Sequence, residues 1–344
     1  MEPFSVGKGG MELIRQERRP PQWDLLIQNF PNKSLFHESA WLDYVVASYP
    51  GTSVDYFELR NGPEPLGYFC AIRVRRFGFS VWHGPKNTYM SPLVSPHVDQ
   101  NKFAQLIVAA CKKEWIAQLV LCDRWLDADP LKAAGFEQEI DVTHVCPLTG
   151  GAEAVWSRMV GTCRTRIRKA EKNNLVVEPA TDPGFVDEFY SLFRRVLATK
   201  GRQPDYSIEQ ARNLFHHLGR GDRLFALRVK HQGQVIGTGL YPHDDRALYY
   251  WDAACNPDSL PLCPNNLLHW TAMKMAIERG IPQFDMGGGP QPSRFTQKFG
   301  GGLQPVSRYR KSFVPLLGEV QNAYQILKQK KLDAAKRWGS PPKP

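Results

Sequence analysis

The chain has 344 residues, a length that suits two domains, and its composition of 42% hydrophobic and 23% charged residues is typical of a globular protein. No window approaches the roughly 18 uninterrupted apolar residues of a membrane-spanning helix, and the polar first residues do not resemble a signal peptide. Seven scattered cysteines without a C-x-x-C pair exclude a disulfide framework and a cysteine zinc site. Reduced thiols are typical of a cytoplasmic protein.

The formal net charge of +10 is concentrated in two stretches. Six basic residues between Arg158 and Lys172 stand against the single acid Glu171, and the tail beyond Glu319 is also rich in lysine and arginine. Such a concentration favours a polyanionic partner, which would be a phosphate-bearing cofactor, an RNA or an acidic membrane face. A solvated helix surface would give the same pattern, and we favour that interpretation for the tail. No DNA partner is expected.

The first half is predicted to begin with a mobile leader over residues 1–30. A helix capped by Ser39 follows, and then strand-like runs over residues 54–59, 66–74 and 79–82. An amphipathic helix over 99–115 precedes an apolar strand over 117–122, a short helix over 130–134 and a strand over 136–146.

The second half repeats this order of elements. Helices are predicted over residues 152–159, 164–173, 185–200 and 207–218, with a strand over 175–178. Three apolar runs then form a β-meander over 224–229, 235–241 and 247–253. A helix starts at Pro264 and ends at Gly280, and a strand over 283–286 runs into three glycines.

These patterns predict an α+β fold with a mixed sheet, built from two similar halves. The expected first domain covers residues 31–150 and the second covers 151–316. Residues 317–344 are predicted to form a basic C-terminal helix and tail.

Two aspartates are candidate general bases. Asp285 ends a predicted strand beside Gly287 and Gly288, which allow close backbone approach to a ligand, and Asp252 ends the third run of the meander. For Asp285, a loop-capping role would explain the sequence equally well. For Asp252, capping is the favoured interpretation.

Other candidates surround these aspartates in the sequence. Asn265 and Asn266 begin the predicted helix and either face a ligand or cap the helix. A cofactor phosphate could be held by basic residues in the charged stretch, namely Arg168, Lys169 and Lys172. Candidate substrate-binding residues are Tyr249, Trp251 and Arg294, although a tryptophan is more often a core residue. The isolated histidines show no metal-ligand spacing, so no metal site is expected.

Three segments carry a family resemblance when they are taken in order. The segments 35–41 (LFHESAW), 164–172 (RTRIRKAEK) and 284–288 (FDMGG), with a phenylalanine and glycine at 299–300, resemble Fem-type acyltransferases of the GNAT superfamily. The resemblance covers roughly residues 35–313 and implies two GNAT-like domains in tandem, the second being catalytic. It also implies direct acyl transfer to a nucleophile, usually an amine, without a covalent enzyme intermediate.

The resemblance leaves two acyl donors open. Peptidoglycan bridge enzymes of this family use aminoacyl-tRNA and carry a lysine where this chain has Thr296, with Lys298 as the nearest amine. An acetyltransferase branch associated with exopolysaccharide genes is presumed to use acyl-CoA. The usual GNAT pyrophosphate motif is replaced here by residues 262–266 (LCPNN).

The leading hypothesis is transfer of an acyl group, most simply acetyl, from acyl-CoA to an amine on a cell-envelope or polysaccharide precursor. Lys298 would supply positive charge to the developing oxyanion, and no tightly bound cofactor is expected. The alternatives are an aminoacyl-tRNA-dependent transferase and a non-catalytic RNA-binding module on the same scaffold. Peripheral contact of the basic tail with a membrane is a further expectation that rests on charge alone.

Overall fold

The computed structural model describes residues 4–5, 10–76, 78–85, 88–288 and 294–315. The predicted basic helix and tail over 317–344 therefore lie outside the described residues, as does Gly289. The first half contributes, in chain order, β1 (Phe4–Ser5), β2 (Met11–Gln16), α1 (Trp23–Ile27), α2 (Ser39–Ser48), β3 (Ser53–Asn61), β4 (Glu64–Arg76), β5 (Phe79–His83), β6 (Leu93–Val94), α3 (Gln100–Lys113), β7 (Ile116–Asp123), α4 (Ala128–Ala133) and β8 (Glu137–Pro147).

The second half has four helices ahead of its meander and one helix after it. Its elements are α5 (Gly151–Arg158), α6 (Gly161–Lys172), β9 (Val176–Pro179), α7 (Gly184–Ala198), α8 (Ile208–Arg220), β10 (Leu224–His231), β11 (Gln234–Pro242), β12 (Leu248–Tyr249), β13 (Asp252–Cys255), α9 (Pro264–Glu278), β14 (Gln283–Gly288) and β15 (Gly302–Ser312). No helix among the described residues is long and apolar enough to span a membrane.

Two sheets organise these elements, and the mixed α/β fold class is confirmed. Within the described residues, an 11-stranded sheet has the order β1-β2-β3-β4-β5-β7-β15-β8-β14-β12, with β6 paired to β4. A smaller antiparallel sheet has the order β13-β11-β10-β9. The helices α7, α8 and α9 cover the smaller sheet; one apolar core extends from the first half into α7 and α8, and a second lies around α9.

The halves share the large sheet. Strand β15, the last described strand, lies between β7 and β8 of the first half, where Tyr309 is opposite Leu121 on one side and Gln138 on the other. Strand β14 pairs with the other edge of β8. The expected boundary at residue 150 therefore does not separate two sheets, because the second half supplies the middle of a sheet that the first half begins.

The part of the predicted leader that is described is not mobile. Strand β2 pairs with β3 along its whole length, and Leu13 is fully buried. The indole of Trp23 is also buried, and its Nε1–H donates to the His37 carbonyl at 2.7 Å. The expectation of a mobile leader was wrong for residues 10–30 because Met11 and Leu13, the apolar residues that face the core, alternate with polar ones. This gives only a weak local signal.

Gly301 is required by the approach of β15 to β8, and this gives a testable prediction. Its φ is +83°, and a Cβ there would lie 2.0 Å from the Val145 carbonyl oxygen. We expect Gly301→Ala to lower the free energy of unfolding by about 1–3 kcal/mol, the usual cost of a strained backbone position. Gly302→Ala is the matched control because no atom lies within 4 Å of its Cβ position. Urea denaturation of both variants measures the difference, and equal stabilities would contradict the proposed fit.

Candidate active site

The third run of the predicted meander is not one strand. It divides into two short strands, and an open space forms where they part. Residues Leu248 and Tyr249 pair in parallel with Phe284 and Asp285 of β14, and the Tyr250 N–H donates to the Asp285 carbonyl at 2.8 Å. From Asp252 onward the chain pairs instead with β11 in the smaller sheet. Strand β13 and the segment 286–288 therefore diverge, and we call the space between them the wedge.

The facing edges of the wedge are not paired with other strands. In the described part of the chain, β13 pairs only with β11, and β14 pairs only with β8 and the short β12. Backbone N–H and C=O groups on such open edges can hydrogen-bond to an extended ligand.

Helix α9 starts beside the end of β13. The Cys255 thiol donates to the Asn265 side-chain oxygen at 2.9 Å, and Asn266, only 3% exposed, donates from Nδ2 to the Cys163 sulfur at 3.5 Å. Both asparagines thus use their side chains to fix the helix start to its neighbours. The backbone N–H groups and positive dipole end of a helix attract anions, even though Pro264 lacks an N–H.

Basic side chains surround this helix start. Burial raises the pKa of the Cys163 thiol, while the Asn266 hydrogen bond and the positive charges of Arg166 and Lys298 oppose that rise. Lys298 is held there because its carbonyl accepts the Val160 N–H at 3.0 Å. The predicted phosphate-binding residues of α6 are exposed: Arg168, whose guanidinium lies 5.3 Å from the Trp156 ring centre, Lys169 and Lys172.

Asp285 lies between the two halves and is almost fully buried, with 4% exposure. Its carboxylate accepts hydrogen bonds from the Tyr89 hydroxyl at 2.6 Å, from the Gly287 N–H at 3.0 Å and from the Thr143 hydroxyl. Burial, reinforced by the charge of Asp285, raises the pKa of Tyr89 well above its usual value, so Tyr89 remains a donor. Because both carboxylate oxygens accept hydrogen bonds inside the protein, this arrangement favours a structural role for Asp285.

Asp252 has a different environment. It is half-buried at the start of β13, on the wedge, and it accepts a hydrogen bond from the Tyr206 hydroxyl at 2.9 Å. Burial and the neighbouring Asp252 charge raise the pKa of Tyr206, which keeps its proton in place. A half-buried carboxylate on a strand that borders an open space is suited to accept a proton from a ligand.

The predicted substrate-binding aromatic residues lie mainly in the core. Tyr249 is 8% exposed and packs on Phe36 at 4.9 Å between ring centres. Trp251 packs against Trp41 at 5.6 Å and Tyr44 at 6.4 Å. These contacts join the start of the wedge to helix α2 of the first half.

The predicted glycines and Arg294 have separate roles. A Cβ at Gly288 would lie 1.7 Å from the Val142 carbonyl oxygen, so Gly288 is needed for packing on β8. Gly287 has a φ of +74° and open space around it. Arg294 is exposed, and it is the first residue of the described range 294–315.

A cleft of about 380 Å³ lies between the halves. Its lining includes Lys33, Trp125, Arg246 and Tyr249, together with Gln283 of β14. Gln283 and Asp285 lie on the same face of β14, because side chains two residues apart on a strand share a face. The cleft therefore opens on the face of the large sheet that carries Asp285.

Asp123 of β7 lies in a buried polar cluster with Ser91 and Asn32. Burial raises the pKa of Asp123, and hydrogen bonds from Ser91, from the Trp125 and Leu126 N–H groups and from Asn32 oppose that rise.

Sequence reasoning missed Tyr89, Asp123, Thr143 and Tyr206. One signal was available for Asp123, because β7 and β14 each end an apolar run with an aspartate that accepts the N–H two residues later. Comparing the two halves strand by strand would have paired Asp123 with Asp285. The other three residues lie far along the chain from their partners and have no local signal.

Part of the chain matches a known protein family, and several solved structures share its fold. Residues 157–295 match the family model described as an acetyltransferase (GNAT) domain. The crystal structure of FemX is 15% identical, covers 86% of this chain and 96% of its own, and superposes with a TM-score of 0.70. The structure of L-PGS from Bacillus licheniformis is 10% identical, with coverages of 85% and 91% and a TM-score of 0.54. A tandem GNAT protein from the clavulanic acid biosynthesis pathway is 11% identical, with coverages of 89% and 99% and a TM-score of 0.51. No curated protein matches the sequence.

The hydrogen bonds of Asp285 give a second prediction. Asp285→Asn keeps the size of the side chain but replaces one acceptor oxygen with a donor, which leaves at least one of the three neighbouring donors without an acceptor. We expect the free energy of unfolding to fall by about 1.5–3 kcal/mol, the usual value for a hydrogen bond to a charged group. Chemical denaturation measures this change. Asp252→Asn is the control, since Asp252 is half-buried; a greater loss of stability in the control would contradict the structural assignment.

Proposed function

We propose that the chain, whose residues 157–295 match an acetyltransferase (GNAT) domain and whose fold is Fem-like, is an acyltransferase that transfers an acyl group from acyl-CoA to an amine-bearing acceptor. The observation that carries the proposal is the wedge between β13 and the end of β14, with the start of α9 beside it. An acyl-CoA has an extended arm with amide groups and a phosphate-bearing end, and the wedge and the helix start match these two parts.

The donor would bind in two contacts. The amides of its arm can hydrogen-bond to the open backbone edges of the wedge, as an added strand would. Its phosphates can lie at the α9 start, where Arg166 and Lys298 add positive charge to the helix dipole. Acyl-CoA would be a co-substrate, and the CoA product would leave after each turnover.

The reaction would proceed by direct attack of the acceptor amine on the thioester carbonyl. A C–N bond forms, the C–S bond breaks, and the CoA thiolate leaves. The amine must lose a proton, which Asp252 accepts directly or through a water molecule. Asp285 would act by holding Tyr89 and Thr143 of the first half against β14. The backbone N–H groups at the wedge can stabilise the oxyanion.

The acceptor would enter from the cleft between the halves. Trp125 on its wall is 49% exposed and offers a flat apolar surface, while Arg246 adds positive charge. A sugar-containing envelope or polysaccharide precursor with an amine and an anionic group fits this combination of surfaces. Such a precursor would be met in the cytoplasm.

A second donor, aminoacyl-tRNA, is favoured by the exposed cations of α6. Arg168, Lys169 and Lys172 extend the positive surface along the helix beyond the α9 start, and no ion pair engages them within the described ranges. Lys172 lies about 9 Å further along α6 than Arg166, at 1.5 Å per residue. A CoA phosphate at the α9 start needs only the near end of this surface, whereas an RNA backbone would use its whole length.

The proposed base is tested by Asp252→Asn. We expect kcat/KM for acyl transfer to fall by about 10²–10⁴-fold, the usual contribution of a positioned general base, while the melting temperature is retained. Asp258→Asn is the control, because Asp258 is 77% exposed and its one ion pair among the described residues is with Arg195. Steady-state turnover with acetyl-CoA and an amino-sugar acceptor measures the effect. Unchanged turnover in Asp252→Asn would exclude this residue as the base.

The donor is tested by binding measurements on two α6 variants. If acyl-CoA is the donor, CoA raises the melting temperature, Arg166→Gln weakens CoA binding several-fold, and Lys172→Gln leaves it unchanged. If aminoacyl-tRNA is the donor, both variants weaken tRNA binding, and its affinity falls steeply with salt. Absence of CoA binding, together with salt-sensitive tRNA binding, would overturn the acyl-CoA proposal.

A further inference from the structure

A larger cavity, of about 720 Å³, lies at the other end of helix α9. It is lined by the last turn of α9, by one face of α8, by the first turn of α7 and by the start of β10. Since α9 has 15 residues, this cavity is about 20 Å from the helix start that borders the wedge. Its volume is in the range of small-molecule pockets, about 300–1,000 Å³.

The floor of the cavity is apolar. It is formed by Val186, Phe215, Leu224, Phe225, Ala226 and Met275. Phe215, Leu224 and Met275 are only half-buried, so apolar surface remains accessible. An apolar ligand would remove this surface from water at about 25 cal/mol per Å².

The rim of the cavity is charged, and its charges nearly cancel. Arg212 pairs with Asp187 at 2.8 Å, and Arg279 pairs with Asp222 at 2.7 Å. Arg220 also lines the cavity, but its only polar contact in the described part of the chain is with His216 at 3.4 Å. One guanidinium therefore faces the cavity without a carboxylate, above an apolar floor.

We propose that this cavity is a second binding site for an amphipathic monoanion, with an apolar chain or ring on the floor and a carboxylate or phosphate head on Arg220. A guanidinium binds such a head through paired N–H donors. The cavity is separate from the wedge and from the cleft between the halves, and the proposal does not depend on which acyl donor the enzyme uses.

Binding of decanoate, measured by calorimetry below its micelle concentration, tests the proposal. We expect saturable binding with one site per chain, also for decyl phosphate, and much weaker binding of decanol, which has the chain without the charge. Equal affinity for decanol and decanoate would overturn the assignment of an anion site. Lack of saturable binding of either anion would overturn the site altogether.

Two pairs of variants locate the ligand. Gly219 lies within α8 on the cavity wall, and a side chain there would meet no atom within 4 Å of its Cβ. Gly219→Phe should fill the cavity and abolish binding, while Gly219→Ala should bind as the wild type does.

Arg220→Gln should weaken decanoate binding about tenfold, whereas Arg194→Gln, at an exposed position on α7 outside the lining, should not. Binding unaffected by Gly219→Phe would place the ligand elsewhere and overturn the proposal. Acyl transfer measured on Gly219→Phe separates this result from failure of the proposed function, since the wedge is untouched.

Discussion

Strand β14 pairs with β12 over only two residues, and the candidate site forms where this pairing ends. β14 must stay in register with β8, while the continuation of β12 must pair with β11 in another sheet. The two strands therefore separate just after Tyr250, and their facing edges are left unpaired. The helix that follows β13 is tied back to it through Cys255 and Asn265, so an anion-attracting helix start lies beside open strand edges.

The carboxylates around this separation have divided roles. Asp285 is buried and accepts three hydrogen bonds, two of them from the side chains of Tyr89 and Thr143 in the first half. It thereby holds the strand of one half against the surface of the other. Asp252 is on the diverging strand, is half-buried and has a fixed phenolic partner. A buried carboxylate that is fully hydrogen-bonded stabilises the cleft, and a more open one is better placed for proton transfer.

The elements with strong local signals could be predicted from the sequence. The helix starts at Ser39 and Pro264 are confirmed, as are the hairpin of β10 and β11 and the mixed α/β class. The third meander run was wrong as a single strand, because its apolar residues do not reveal that Leu248 and Tyr249 pair with β14 whereas the chain from Asp252 onward pairs with β11. The candidate residues Asp252 and Asp285 were selected by their positions after apolar runs. Their partners Tyr206, Tyr89 and Thr143 were not, because strand pairing between distant segments leaves no periodicity in either segment.

The place of β15 in the large sheet also dictates an order of events during synthesis. The edges of β7 and β8 that face each other stay open until residues 302–312 have left the ribosome, since only β15 fills the gap between them. The first half therefore cannot complete its sheet as an independent unit, and its unpaired edges are exposed while most of the second half is being made. Such long-range pairing makes folding slow, because a long loop must close before its contacts form. Loss of the last described strand would affect both halves at once, and the nascent chain would need protection from edge-to-edge association until then.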